Sequence, residues 1–167
     1  MKGAVVWLVG LPSSGKSTLG RRLVGRLRRE GVGALLLDGD EVRASLEPRP
    51  GYEPEARDAF YRTLARLAAV AAAQGLVAVV AATAPLRAHR EFARSVAPRL
   101  LEVFVDVPLE ECRRRDAKGL YARARAGEIA SLPGAGAAFE PPAAPDVVAR
   151  GGEDDEALEQ ALRRLDA

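Results

Sequence analysis

The stretch GLPSSGKS, residues 10–17, decides the fold of this chain of 167 residues. It matches the pattern G-x-x-x-x-G-K-[ST], whose glycines let backbone N–H groups wrap around a phosphate while the following helix adds the positive end of its dipole. The apolar run Ala4–Val9 precedes it, and apolar residues at helical spacing begin at Lys16. This context argues against the alternative, a glycine- and serine-rich turn that matches by chance. The sequence therefore predicts a phosphate loop.

A phosphate loop of this kind predicts ATP and Mg²⁺ as the cofactors. We expect Lys16 to reach the β- and γ-phosphates and the Ser17 hydroxyl to ligate Mg²⁺. The other residues expected to surround the phosphates are Gly10, Ser13, Ser14, Gly15 and Thr18.

Short apolar runs alternate with longer helical stretches along the rest of the chain, which is typical of βαβ units and a parallel sheet. The predicted strands after the first are Ala34–Leu37, Leu76–Ala82, Leu101–Val105 and, more weakly marked, Asp146–Ala149. The predicted helices are Lys16–Glu30, Glu55–Gln74, Arg87–Ala97, Leu109–Ala117 and Asp154–Leu165. The predicted fold class is α/β, a single-domain P-loop NTPase of the nucleotide-kinase-like type. It has a mostly parallel five-stranded sheet flanked by helices, and a lid loop.

One segment breaks this alternation. Residues 130–145 carry four prolines separated by small residues, which predicts an irregular loop. Long loops inside compact domains are often functional lids. We expect one domain over residues 1–167, with a lid at about 118–145.

Composition excludes several partner classes. The net charge of +2 comes from 25 basic and 23 acidic residues that are interspersed, so neither nucleic acid nor a membrane surface is an expected partner. Cys112 is the single cysteine of the sequence, which excludes an intrachain disulfide. We expect a cytoplasmic protein that acts on a small-molecule substrate.

Two carboxylates follow the second predicted strand in the stretch Asp38-Gly39-Asp40. The carboxyl ends of parallel strands lie on the ligand side of such a sheet. Asp40 is therefore predicted to polarise an acceptor hydroxyl or to hold Mg²⁺, the two roles that phosphoryl transfer gives a carboxylate. The alternative is a solvated turn, because Asp-Gly is common in turns. The guanine-binding pattern N-K-x-D does not occur in the sequence.

With these motifs in place, the sequence resembles the adenylylsulfate (APS) kinase family over nearly its whole length. The resemblance rests on residues 10–17, on LDGDEVR at residues 37–43 and on VFVDVPLEECRRRDAKGLYARARAGEI at residues 103–129. It implies transfer of a phosphoryl group from ATP to the 3′-hydroxyl of adenylylsulfate, which gives 3′-phosphoadenylylsulfate. It also makes a homodimer the expected assembly.

The resemblance implies roles for further residues. Asp40, with Lys16 and the lid lysine Lys118, corresponds to the catalytic groups, and Arg115 would lie beside the ATP adenine. Ser17 and Asp40 would hold the metal. The implied acceptor-binding positions are Asp38, Arg43, Tyr52, Arg57, Phe60, Lys118 and Leu132.

Several acceptor positions depart from the family pattern. Phe60 stands where the family usually has Asn, and Leu132 stands where a lid Phe stacks on the acceptor adenine. Residues 84–86 replace a Ser-Pro-Tyr element. Losing a base–aromatic stack costs about 1–3 kcal/mol. Two alternatives therefore stay open beside adenylylsulfate: another small hydroxyl-bearing nucleotide or anion as acceptor, or a nucleotide-binding module without turnover.

Four other residues could attract functional roles, and each has a plainer interpretation. His89 is expected at the surface at the start of its helix. Cys112 and Trp7 are expected in the core, where free cysteines and strand tryptophans usually pack. Phe139 matches an aromatic residue of the family that would anchor the lid, and the plainer alternative is packing alone.

Overall fold

The computed structural model describes residues 2–167 and contains seven strands and seven helices in that part of the chain. The strands are β1 (Ala4–Val9), β2 (Ala34–Asp38), β3 (Val77–Ala81), β4 (Leu100–Val105), β5 (Leu132–Pro133), β6 (Gly136–Ala137) and β7 (Val147–Ala149). The helices are α1 (Lys16–Arg29), α2 (Gly39–Ser45), α3 (Pro54–Ala73), α4 (Arg87–Val96), α5 (Leu109–Arg115), α6 (Leu120–Arg125) and α7 (Asp155–Asp166).

Five strands form the predicted sheet in the order β2-β3-β1-β4-β7, and every neighbouring pair is parallel. All residues of β1 and β3 are buried, as expected for central strands covered on both faces. The order reverses between β1, β3 and β4, which leaves a crevice beyond the carboxyl end of β1. The P-loop follows β1 directly and therefore lies in this crevice.

Alternate residues of β1 belong to two separate hydrophobic cores, one on each face of the sheet. Val6 and Leu8 pack with the buried leucines of α1 and α7, whereas Val5 and Trp7 pack with the buried face of α3 and with α4. This division follows from the two-residue period of a strand, which sends successive side chains to opposite faces. The predicted core positions of Trp7 and Cys112 are confirmed, since both side chains are buried.

The long helices end where the sequence predicts. Gly31 and Gly75 follow α1 and α3 with φ angles of 77° and 90°, a left-handed conformation that glycine adopts at little cost. Pro54 begins α3, where its missing N–H group has no helical partner to lose.

Two short helices and a small ladder depart from the predicted elements. Helix α2 begins where the Asp38 side chain accepts a hydrogen bond from the Asp40 N–H group, and α6 follows Asp116, whose carboxylate accepts from Tyr121 N and Ala122 N. These helices have seven and six residues, too few for a hydrophobic period to be visible. The loop predicted as irregular over residues 130–145 contains the β5–β6 pair.

No helix within residues 2–167 has the length and apolar character that a membrane-crossing segment requires.

Candidate active site

A large cleft opens beyond the carboxyl ends of the central strands. Its volume is about 2030 Å³, above the range of roughly 300–1,000 Å³ that is usual for one small-molecule pocket. The P-loop, the residues after β2 and β3, the first turns of α3 and the lid all line it. The cleft is therefore large enough for two nucleotide-sized ligands side by side.

The P-loop has the backbone geometry that its sequence predicts. Ser13 and Gly15 adopt φ angles of 64° and 100°. A Cβ atom on Gly15 would lie 2.6 Å from the backbone nitrogen of Gly152, so only glycine allows this approach. Helix α1 has no side-chain N-cap and no acidic residue in its first turn. Its first N–H groups and the positive end of its dipole are thus available to an anion.

The other small loop residues are held tightly. A Cβ atom on Gly10 would lie 2.6 Å from the Val105 carbonyl oxygen and 2.9 Å from Ser14 Oγ. The Ser14 hydroxyl is fully buried and has no hydrogen-bond partner among residues 2–167. Ser13 and Thr18 line the cleft.

Lys16 lies at the base of the cleft and is buried. Its Nζ donates to the Gly10 carbonyl at 2.9 Å and to the Leu11 carbonyl at 2.7 Å. Burial lowers the pKa of Lys16 to about 8, because the charged form loses solvation. A nearby polyanion would supply the compensating charge that these carbonyls only partly provide.

Asp38 joins the P-loop to the segment after β2. One carboxylate oxygen accepts a hydrogen bond from Ser17 Oγ, and the other accepts from Asp40 N at 3.0 Å. Asp38 is buried at the end of β2, so the two contacts fix its position. The sequence predicted Asp38 on the acceptor side, and the structure places it against the metal-ligand candidate Ser17.

Asp40 lines the cleft two residues after Asp38 and forms an ion pair with Lys118 of the lid. Burial lowers the pKa of Lys118 and the Asp40 carboxylate raises it, with a net rise. The two side chains remain 62% and 56% exposed. Exposed pairs contribute little stability, so either partner can exchange this contact for a ligand at low cost.

Two arginines predicted to bind the acceptor lie on the α2–α3 side of the cleft. Arg43 donates to the carbonyls of Pro50 and Gly51, and Arg57 Nη2 donates to the Ser131 carbonyl of the lid at 2.8 Å. Both side chains line the cleft. Burial lowers the pKa of Arg43, whose guanidinium nevertheless stays charged.

The predicted apolar acceptor positions differ in exposure. Tyr52 lies at the rim with 52% of its surface exposed, whereas Phe60 and Leu132 are 3% and 7% exposed. All three line the cleft. Leu132 belongs to β5 and packs within a hydrophobic core cluster. It therefore forms part of the cleft wall, and little of its side chain is free to contact a ligand.

Arg115, predicted beside the adenine, lines the cleft and donates to Glu111 at 2.8 Å. Hydrogen bonds from Arg114 and Arg115 lower the pKa of Glu111 to about 2. The hydrogen bond to Glu111 sets the direction of the Arg115 side chain at the end of α5.

The cleft residues that sequence reasoning missed include Thr83, Arg49 and Arg150. Thr83 follows the third strand as Asp38 follows the second, so the rule that ligands lie beyond the carboxyl ends of strands could have identified it. Arg49 and Arg150 lie in loops and carried no comparable signal.

The prediction for His89 was wrong. The side chain is 5% exposed, and its Nε2 lies 2.6 Å from Asp58 Oδ1 of α3. Its Nδ1 accepts from Leu86 N at 3.4 Å. The third residue of α4 faces α3 here, which the sequence of α4 alone does not reveal. Burial lowers the pKa of His89, and Asp58 opposes this shift.

Residues of the lid contact the rest of the protein at several points. Phe139 stacks on Phe104 at a centroid distance of 6.3 Å, as an anchoring role requires. Buried Arg90 donates to the carbonyls of Ala84 and Glu140 at 2.9 and 2.8 Å. At the other end, the Tyr121 hydroxyl donates to the Pro12 carbonyl at 2.9 Å. The lid therefore contacts both the P-loop and the segment after β3.

The geometry can be compared with known proteins. The family model described as "Adenylylsulphate kinase" matches residues 2–150. The chain belongs to the adenylylsulfate kinase family. This membership confirms the resemblance inferred from the sequence and the predicted kinase class.

Individual relatives agree with this membership. An adenylyl-sulfate kinase of Paraburkholderia xenovorans is 46% identical over 148 residues, which cover 88% of this chain and 83% of the relative. The Mycobacterium tuberculosis APS kinase, solved in complex with AMPPNP and APS, superposes with a TM-score of 0.92 at 36% identity and 99% coverage of both chains. A hexameric APS kinase from Thiobacillus denitrificans gives a TM-score of 0.68 at 26% identity, covering 99% of this chain and 29% of that one. The predicted α/β P-loop fold is thereby confirmed.

Proposed function

We propose that this chain transfers the γ-phosphoryl group of ATP to the 3′-hydroxyl of adenylylsulfate, giving ADP and 3′-phosphoadenylylsulfate. One observation carries the proposal. Lys16 and Ser17 of the P-loop line the same cleft as Asp40. The relative that was solved with an ATP analogue and APS together supports a two-nucleotide cleft, since it aligns over 99% of this chain.

On the donor side, the P-loop N–H groups and Lys16 bind the triphosphate. Lys16 regains a full positive charge as the phosphates approach, because an opposite charge raises the pKa of a buried amine. Gly10, Ser13, Ser14, Gly15 and Thr18 shape the loop, and Arg115 lies beside the base. Guanidinium planes stack on purines, which suits that position.

The residues around Ser17 fit Mg²⁺, a hard cation that prefers oxygen ligands and keeps several waters. The Ser17 hydroxyl and the Asp38 carboxylate are in contact and offer such oxygens, and Asp40 stays our second predicted ligand. Within residues 2–167, no group of three or more His, Cys, Asp or Glu side chains could hold a metal ion without the nucleotide. When bound, Mg²⁺ neutralises charge on the β- and γ-phosphate oxygens.

On the acceptor side, Asp40 orients the acceptor hydroxyl and accepts its proton. Lys118 leaves Asp40 for the transferring phosphoryl group, where a cation offsets the developing charge. Arg43 and Arg57 bind the acceptor anion, and Tyr52, Phe60 and Leu132 form the wall around it. Residues 118–145 close over the cleft to exclude water, which would otherwise compete as acceptor.

We further propose that residues 1–167 act as one domain, that the chain forms a homodimer and that it works in the cytoplasm. The hexameric relative supports self-association as a general expectation.

ADP release coupled to NADH oxidation tests the proposal directly. Purified protein with ATP and Mg²⁺ is measured with and without adenylylsulfate, and the product is analysed for the position of its new phosphate. We expect ADP release that depends on adenylylsulfate, together with a 3′-phosphorylated product. Binding of ATP without acceptor-dependent ADP would contradict the proposed acceptor and direct attention to other hydroxyl-bearing nucleotides.

A further inference from the structure

The guanidinium of Arg43 lies between two aromatic rings. Its Cζ atom is 3.9 Å from the centroid of Phe60 and 4.5 Å from that of Tyr52. Nη1 donates to the carbonyls of Pro50 at 3.2 Å and Gly51 at 2.6 Å. Arg43 is only 4% exposed, although it lines the cleft. The side chain is thus confined by stacking and by hydrogen bonds.

The positive charge of Arg43 has no carboxylate partner. Among the ion pairs of residues 2–167, the nearby Asp40 pairs with Lys118, and none includes Arg43. Buried cations are normally paired, because removing them from water is costly. The negative faces of aromatic rings offset part of this cost, and more so when the cation is desolvated. The uncompensated charge that remains is suited to an anionic ligand in the cleft.

We propose that Phe60 is a positioning residue that holds the Arg43 guanidinium in the orientation that binds an anionic group of the acceptor. The inference rests on the proposed function for the identity of that acceptor. Phe60 provides no hydrogen bond to a ligand, and beyond lining the cleft its effect passes through Arg43. On the acceptor side of the cleft, the face of the Phe60 ring therefore supports the Arg43 guanidinium.

The location of Phe60 explains why it, more than Tyr52, fixes the arginine. Phe60 lies in α3 and is buried, and its ring packs against Tyr61 at a centroid distance of 5.6 Å. Tyr52 lies in an exposed loop at the rim. Arg57 precedes Phe60 by three residues, so both lie on one face of α3. One rigid helix therefore sets the position of Arg57 and, through Phe60, that of Arg43.

The test compares Phe60→Leu, which keeps an apolar side chain without a π face, with Phe60→Tyr, which keeps the face. Phe92→Leu is the matched control, since Phe92 lies under Arg62 at 4.4 Å and outside the cleft. For Phe60→Leu we expect the KM for adenylylsulfate to rise about five- to thirtyfold, as the loss of a desolvated cation–π contact predicts. The KM for ATP should stay within about twofold. Phe60→Tyr should restore most of the acceptor KM, and Phe92→Leu should leave both KM values unchanged.

A purely structural role would affect both substrates alike. An unchanged acceptor KM in folded Phe60→Leu, or an equal rise in both KM values, would overturn the inference.

A second measurement does not depend on the acceptor. Denaturation midpoints of Arg43→Met, Phe60→Leu and the double variant form a thermodynamic cycle. We expect the double variant to shift less than the sum of the single shifts, whereas additive shifts would exclude the stacked pair. If the wild-type protein releases no ADP with adenylylsulfate, the proposed function fails while this cycle still decides whether Phe60 holds Arg43.

Discussion

On the proposed ATP side of the cleft, one continuous segment of eight residues builds the site from its own backbone, whereas the acceptor side joins α2, α3 and the lid. The donor side depends on φ angles such as that of Gly15 and on the N-terminus of α1. The acceptor side depends on contacts between side chains far apart in the chain, such as Arg57 with the lid carbonyl of Ser131.

The difference has a physical consequence. A backbone site tolerates few substitutions at its glycines but is nearly independent of the side chains around it. A site made of side chains from several elements can be changed one residue at a time while the fold persists. The departures from the family pattern, Phe60 and Leu132, both lie on that second side.

Replacing the carboxylate of Asp40 should give the largest loss of activity. It should impair the acceptor side of the cleft and leave the ATP side nearly unchanged. For Asp40→Asn we expect kcat to fall by a factor of roughly 10²–10⁴, the range for a general acid–base group. Binding of an ATP analogue without Mg²⁺ should change by less than about twofold, because the lost interactions are those with the acceptor hydroxyl in the transition state and with the metal. Single-turnover kinetics and calorimetric titration measure the two quantities. Turnover at the wild-type rate would remove Asp40 from the mechanism.

A methyl group on the P-loop should damage the donor side alone. Gly15→Ala places a Cβ atom 2.6 Å from Gly152 N at a φ of 100°, and a left-handed residue costs about 1–2 kcal/mol before any clash. We expect ATP-analogue affinity to fall at least about tenfold. Gly25→Ala is the control, since a Cβ atom there would have no neighbour within 4 Å in the described part of the chain beyond its own helical turn, and alanine favours a helix by up to about 1 kcal/mol. Equal affinities in the two variants would contradict the backbone origin of the site.

The buried ammonium of Lys16 should make ATP binding depend on pH. Burial lowers its pKa to about 8, so above this pH the ligand-free protein loses the proton. The triphosphate raises the pKa again, so binding takes up a proton and affinity falls severalfold between about pH 8 and pH 9. Calorimetry in buffers of different ionisation enthalpy measures the uptake. Lys16→Arg, which carries a permanent charge, should bind without it.

The smallest expected effect concerns His89, which contacts Asp58 and Tyr61 of α3. Burial lowers its pKa below the ordinary value of 6.5, so the unfolded chain binds a proton more readily as the pH falls below that value. The free energy of unfolding, and Tm with it, should therefore decrease from about pH 6.5 downwards. Thermal denaturation of the wild type and of His89→Gln between pH 5 and 7 measures it. If Tm depends on pH equally in the wild type and in His89→Gln, the loss of stability at low pH comes from groups other than His89.

The sequence by itself determined the sheet, the P-loop and the location of Asp38 and Asp40 at the carboxyl end of the second strand. These features are local: a continuous apolar run, a glycine pattern with a defined backbone, and a polar residue directly after a strand. Each can be recognised in fewer than ten consecutive residues. The strands and long helices consequently agree with the prediction to within a few residues at their ends.

Only the tertiary structure decided which distant residues meet. It brought Lys118 into an ion pair with Asp40, which is 78 residues earlier, and it buried His89 against Asp58. It also stacked Arg43 on Phe60 across two helices. Such contacts depend on how helices pack on the sheet, and a helix that is short or polar carries no periodic signal of the face it buries. For this reason the donor side could be predicted from the sequence, and the arrangement of the acceptor side required the fold.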